Sequence, residues 1–421
     1  MMNNSSFTLG NGLRVIHNYD PATAMVAVDV LYNVGARDEN PHLTGMAHLF
    51  EHLMFAGSEN VADYDGALER VGGISNAWTS NDFTNFYDVA PAANAETLFW
   101  LESDRMLSLS FSQKSLDVQR SVVIEEFKQT HLNRPYGDLS HHLRAMLYTV
   151  HPYRYPTIGK EIDHLRRVTL DDLKQFYFSH YAPNNAVLAV SGNLTLDKVR
   201  ELAEKWFGSI PRRDITPRTY PSEPPIMSPR IERLRRDVPR AMITVAFPMP
   251  GYGQPGYIEC DLITDILANG RSSRFYRELV MQGDLFSDAD ASISGSDEPG
   301  FLMLNGRLNR SDDTSVAEAR RILTEAACTL AQPGNVTGHE LTRAVNRFES
   351  QSTFSSMNFL NKAQTLAMAE MHGEDINSIV PAYRRVTTAD ITSTATRILA
   401  PSRSATIEYL PRESNMIPNK I

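Results

Sequence analysis

The chain is poor in cysteine, in net positive charge and in long apolar stretches, and each shortage removes a class of protein. Two cysteines in 421 residues, Cys260 and Cys328, cannot build a disulfide framework or a Cys-rich zinc or iron–sulfur site. Any bound metal must be held by histidine and carboxylate, and the two thiols are expected as small buried hydrophobes. Lys and Arg number 41 against 50 Asp and Glu, a net charge of −9. The broad basic face that nucleic acid requires is therefore missing. No apolar run approaches the roughly 18 residues of a membrane span. The opening MMNNSSFTLGNG has no basic segment followed by an apolar one, so no signal peptide is expected. The expectation is a soluble chain, cytoplasmic or periplasmic.

What remains is an ordinary globular composition, 42% hydrophobic and 22% charged, in a length that suggests two or more domains. Six prolines fall within residues 210–230 (Pro211, Pro217, Pro221, Pro224, Pro225 and Pro229). Proline at that density neither pairs in a sheet nor continues a helix, so the stretch reads as a semi-rigid linker. It implies an N-terminal domain over 1–209 and a C-terminal domain over 231–421.

The two halves echo each other. Arg166-Arg167-Val168-Thr169 and Arg384-Arg385-Val386-Thr387 lie 218 residues apart, and so do Pro183 and Pro401. Each pair precedes an apolar strand, Ala186–Val190 or Ala405–Leu410. A shared offset across separate features indicates tandem duplication. Phe7–Leu9 and Leu13–His17, joined by Gly10-Asn11-Gly12, read as a hairpin. Met25–Leu31 and Ala241–Phe247 read as central strands. Helical periodicity covers Gly45–Phe55, Ala95–Leu107, Ser115–Thr130, Leu170–Tyr177 and Leu196–Phe207. The expected class is α+β: two homologous α/β-sandwich domains, each a mainly antiparallel sheet with helices packed on one face.

One segment carries chemistry: Thr44-Gly-Met-Ala-His48-Leu-Phe-Glu51-His52-Leu-Met-Phe-Ala-Gly57. Thr44 is the expected N-cap and Gly57 the expected stop. His48 and His52, at i and i+4, project from one helix face and suit two nitrogen ligands of a tetrahedral zinc ion. Glu51 borders that face and can take a proton from a water on the metal. The order H-x-x-E-H inverts the commoner H-E-x-x-H and is the inverzincin motif. A third ligand must come from elsewhere. The helical stretch Ser115–Thr130 offers Glu125 and Glu126, and spacing alone does not choose between them.

With these residues in hand, the sequence resembles the pitrilysin-like M16 zinc peptidases, especially half-length members such as mitochondrial processing peptidase and its bacterial relatives. The resemblance rests on LGNGLRVI, GMAHLFEHLMFAG, GGISNAWTSNDFTNFY and QRSVVIEEF. It implies a zinc endopeptidase with one Zn2+ per chain, His48, His52 and Glu126 as ligands, and Glu51 as general base. Gln119 stands where the family has an accessory Glu, so a hydrogen-bonding role beside the metal can survive there but a charge cannot. Asn76, Ala77, Trp78 and Thr79 match an edge strand that receives a peptide as an added β-strand.

The second half departs from the pattern. It has no H-x-x-E-H. In Ser272-Ser273-Arg274-Phe275-Tyr276-Arg277-Glu278-Leu279-Val280 … Gly283-Asp284-Leu285-Phe286, Val280 and Phe286 replace the family's Arg and Tyr, which bind substrate and the oxyanion. The resemblance therefore implies a partner: a homologous subunit carrying that Arg/Tyr pair, in a heterodimer or a dimer of heterodimers. The competing expectations are a non-catalytic scaffold and a peptide-binding subunit of a larger complex. His131, His141, His142, His151 and His164 have no ligand spacing and are expected as surface or capping residues.

Overall fold

The computed structural model describes residues 2–216 and 218–412. The chain divides into two compact units, and neither is continuous in sequence. The first holds the chain up to Phe127 together with Tyr155–Tyr220 and Ser350–Val380; the second holds Lys128–Arg154, Pro221–Glu349 and the chain from Pro381.

The first unit is built on six strands: β1 (Ser5–Thr8), β2 (Arg14–Tyr19), β3 (Met25–Tyr32), β4 (Ile74–Thr79), β5 (Thr84–Pro91) and β6 (Ala186–Gly192), in the order β1-β2-β6-β3-β5-β4. Only β2 and β6 run parallel. β3 sits inside the sheet and is apolar on both sides. Val26, Val28 and Val30 face the main core, whereas Ala27 and Leu31 face the other side. The main core is closed by helices on one face, among them Met46–Leu53, Ala95–Leu107, Gln113–Phe127 and Leu196–Phe207. The opposite face carries Ile16, Ala27, Leu31, Val187 and Ala189 and is crossed by the Phe359–His372 helix through Ala363, Leu366 and Ala367.

The second unit has five strands: β7 (Arg230–Arg236), β8 (Met242–Pro248), β9 (Phe286–Ser294), β10 (Phe301–Leu308) and β11 (Ala405–Pro411), in the order β7-β11-β8-β10-β9. β7 and β11 are its parallel pair. The order matches β2-β6-β3-β5-β4 position for position, which is the expected mark of duplication. The 218-residue offset also holds in detail. Thr169 and Asp172 form a reciprocal capping box at the start of one helix, and Thr387 and Asp390 form the same box at the start of another. One face of this second sheet is covered by the Leu139–Leu147 helix, with Leu143 and Leu147 packed on Met242, Ala246, Ile407 and Tyr409.

Each sheet thus has one face covered by a helix from the other half of the sequence, which a boundary drawn at the linker does not anticipate. Residues 211–229 themselves contain no helix or strand among those described. The segment is nonetheless fastened. Tyr220 donates to Asp38 (2.6 Å), and Glu223 accepts the backbone N–H groups of Thr149, Val150 and His151.

Two of the remaining histidines are interior rather than superficial: His151 is packed on Tyr153 and His164 on Thr44. His142 lies between Asp138 and Glu232. Cys260 is buried and Cys328 half-buried, its thiol donating to the Leu399 carbonyl. No described helix is long and apolar enough to cross a membrane.

The exchanged helix makes a prediction. A chain ending at Tyr220 lacks Phe359–His372 and leaves its sheet face uncovered, a loss worth several buried aliphatic side chains at ~1.5–3 kcal/mol each. That piece should aggregate and bind an apolar dye such as ANS, while coexpression with residues 221–421 should restore solubility. A monomeric, dye-silent fragment would contradict the packing.

Candidate metal centre

The motif folds as a short helix, Met46–Leu53, whose apolar side (Met46, Ala47, Leu49, Phe50, Leu53) is buried. That burial turns the opposite side, with His48, Glu51 and His52, toward a half-open surface of the first unit. The expected N-cap, Thr44, is displaced by one residue. Gly45 is the N-cap, in the left-handed region at φ 91°. A Cβ there would meet the Ile158 carbonyl at 2.8 Å, so the strand-to-helix corner needs glycine. Thr44 is instead tied down behind the helix. Its hydroxyl pairs with His164 Nδ1 (2.8 Å) and accepts from the Lys160 N–H (2.8 Å). His164 Nε2 faces Glu161 (2.9 Å).

Gly45 has no side chain with which to cap the helix. That task falls to Glu39, which sequence reasoning missed. Its two carboxylate oxygens accept the N–H groups of Gly45 and Ala47, each at 2.8 Å. Burial pushes the Glu39 carboxyl up to about 8, against the pull of those donors. The residue lies six positions ahead of the cap, outside the spacing of a capping box. Nothing local marks it as a cap, because Glu39 sits in the polar run Arg37-Asp38-Glu39-Asn40.

Gln113–Phe127 is helical and continues as a π-turn over Lys128–Leu132, so the expected Ser115–Thr130 helix starts earlier and changes pitch at its end. Leu116, Val123 and Phe127 bury one side. Glu125 projects to solvent, whereas Glu126 is half-buried and reaches the motif helix. The structure therefore separates the two candidates that spacing left open. Gln119, half-buried, precedes Glu126 by two helical turns and so lies on its side of the helix.

His48, His52 and Glu126 present one donor atom each within 4.8 Å of one another. Glu126 Oε2 lies 3.6 Å from His48 Nε2 and 3.4 Å from His52 Nε2. These separations are too long for good N–H···O hydrogen bonds. They suit a shared cation: zinc bonds of 2.0–2.1 Å at tetrahedral angles put the donors about 3.3 Å apart. The two rings are nearly perpendicular (89°), with centroids 5.0 Å apart, so their nitrogens converge without stacking. The residues present fit a divalent zinc-type ion in donor type, number and spacing.

Glu51 stands beside this trio and accepts a hydrogen bond from the Thr79 hydroxyl at 2.6 Å. Burial raises its carboxyl above the ordinary range, with Thr79 and His52 opposing that shift and Glu126 adding to it. Thr79 ends β4, whose outer side has no neighbouring strand among those described. Along β4 the side chains alternate. Ala77 packs toward the main core and Thr79 toward Glu51, whereas Trp78 packs against the other sheet face. The Asn76 side chain folds onto its own strand and accepts from the Ala77 N–H (2.9 Å). Of the four expected substrate residues, Thr79 bonds Glu51, and Trp78 packs on the other sheet face.

In the second unit, Phe286 is buried at the start of β9, and Val280 lies half-buried in the Phe275–Met281 turn. Neither offers a hydroxyl or a charge.

A duplicated α+β fold with two imidazoles and a carboxylate converging beside a second carboxylate defines the class. Residues 14–161 match the model of insulinase (peptidase family M16), and residues 167–348 match that of the peptidase M16 inactive domain. Zinc protease PqqE of Helicobacter pylori is 32% identical over 345 residues, 80% of this chain and 77% of that one. The beta subunit of the mitochondrial-processing peptidase of Saccharomyces cerevisiae is 27% identical over 255 residues, covering 59% of this chain and 54% of its own. The crystal structure of a protease from Helicobacter pylori superposes with a TM-score of 0.90 at 26% identity, covering 98% of this chain and 100% of that one. The chain belongs to the M16 peptidase family.

The geometry assigns different weights to the two adjacent glutamates. Glu126→Ala should abolish stoichiometric zinc in metal analysis after dialysis, while Glu125→Ala should leave it at one per chain. Equal loss in both variants would contradict the assignment.

Proposed function

We propose that this chain is the metal-bearing subunit of a zinc endopeptidase, acting on peptides or unfolded segments. The observation that carries the reading is the convergence of His48, His52 and Glu126 with Glu51 held alongside by the edge strand. A divalent ion held by the three ligands would supply Lewis-acid polarisation of a peptide carbonyl and acidify a water molecule. Glu51 takes the proton from that water during attack and returns it to the leaving amine. Burial holds its carboxyl above the ordinary carboxylate range, the direction that makes it a better proton acceptor. The Thr79 hydroxyl fixes which carboxylate oxygen is engaged and which is free. The open side of β4 offers backbone groups to an extended peptide, which would lie past Glu51 as an added strand.

The resemblance gives the binding of a developing oxyanion to an Arg and a Tyr. Val280 and Phe286 stand at the pattern positions, and Phe286 is buried. We therefore assign that task to a homologous subunit with the missing Arg and Tyr. The likeness to the mitochondrial-processing peptidase beta subunit supports this arrangement. The alternative of a purely structural or peptide-holding subunit leaves the three converging donors and the adjacent Glu51 without a use.

Glu51→Gln separates binding from chemistry. It should retain zinc and lower turnover of a quenched peptide by about 10²–10⁴-fold. A variant with undiminished turnover would remove Glu51 from the reaction. Separately, wild-type chain assayed alone should be far less active than chain mixed with its Arg/Tyr-bearing partner, and full activity alone would reject the paired arrangement.

A further inference from the structure

We propose that Glu39 is a positioning residue for the metal centre: by holding the N–H groups of Gly45 and Ala47, its two carboxyl oxygens set where His48 and His52 stand against Glu126. The inference rests on the reading of those three residues as metal ligands.

The motif helix has eight residues. So short a helix has few internal hydrogen bonds and takes its position from packing and from its ends. Its N-terminal N–H groups have no partner within the helix, and Gly45 cannot supply one. Glu39 does so with both oxygens at 2.8 Å. Ala47, whose N–H it holds, directly precedes His48.

Glu39 is itself anchored to the end of the edge strand. The N–H groups of Ala36 and Arg37 donate to the carbonyls of Ser80 and Asn81, at 3.1 and 2.9 Å. Arg37 forms a buried ion pair with Asp82 at 2.7 Å. Gly35 allows this approach, since a Cβ there would lie 2.4 Å from the Asn81 carbonyl oxygen. Residues 80–82 follow Thr79 directly, and Thr79 bonds Glu51 from the other direction. A closed circuit results: edge strand, loop 35–39, Glu39, motif helix, Glu51, edge strand. Glu39 is the link through which the edge strand fixes the helix at its N-terminal end. Ligand sets of this kind work only when held within roughly 0.5 Å of the productive geometry.

The test measures zinc affinity of the purified full-length apoprotein by competition with a chromogenic chelator, independent of any activity. Glu39→Gln keeps the volume and one acceptor; Glu39→Ala removes both. Zinc affinity should fall about 10–100-fold in Glu39→Ala, with Glu39→Gln between it and wild type. The visible absorption of the cobalt-substituted protein should change in parallel. Leu366→Ala, on the far side of the sheet, serves as a control that lowers the melting temperature without touching the cap, and its zinc affinity should equal that of wild type. If both Glu39 variants bind zinc as tightly as wild type, or if Leu366→Ala weakens binding equally, the positioning role is overturned. Wild-type protein that binds no zinc would instead remove the reading of the site itself.

Discussion

The candidate site depends on three electron-pair donors being brought within 4.8 Å of one another. Glu126 Oε2 stands 3.4–3.6 Å from the two imidazole Nε2 atoms. A cation bound between them would hold the three donors together. The helices that carry them are held in register by burial of their other sides, Leu49, Phe50 and Leu53 on one and Leu116, Val123 and Phe127 on the other. Core packing thus sets the geometry of the three donors, and the polar residues occupy positions that packing leaves to them.

The sheet contributes through its edge. β4 is the last strand of its sheet, and it both contacts the general-base candidate through Thr79 and continues into the turn that anchors loop 35–39. The site and the open strand are parts of one rigid assembly within the first unit. A peptide lying along β4 would have its backbone placed by the same residues that place Glu51. The second unit repeats the strand order without an H-x-x-E-H motif.

Features that are local in sequence were legible, and features that depend on packing partners were not. The i, i+4 histidine pair follows from helical geometry alone, and so does the position of Glu51. The duplication was visible in the offset between Thr169 and Thr387, because a capping box is a local motif. Choosing Glu126 over Glu125 took a family pattern, since one residue rotates a side chain by about 100° and only the tertiary contact shows which way the helix faces. The exchange of Leu139–Leu147 and Phe359–His372 was invisible, because an apolar helix face does not announce which sheet it covers. Trp78 packs on the other sheet face, as strand alternation next to Thr79 requires. Glu39 escaped notice because it caps a helix from six residues upstream of the cap, through the fold rather than through local spacing.

The most direct measurement is anomalous X-ray scattering at the zinc edge from crystals of the purified, zinc-loaded protein. A single peak about 2.0–2.2 Å from His48 Nε2, His52 Nε2 and a Glu126 oxygen, with Glu51 alongside but not bound, is the expected result. A zinc peak held by other residues, or His48, His52 and Glu126 refined apart with no ion between them, would contradict it.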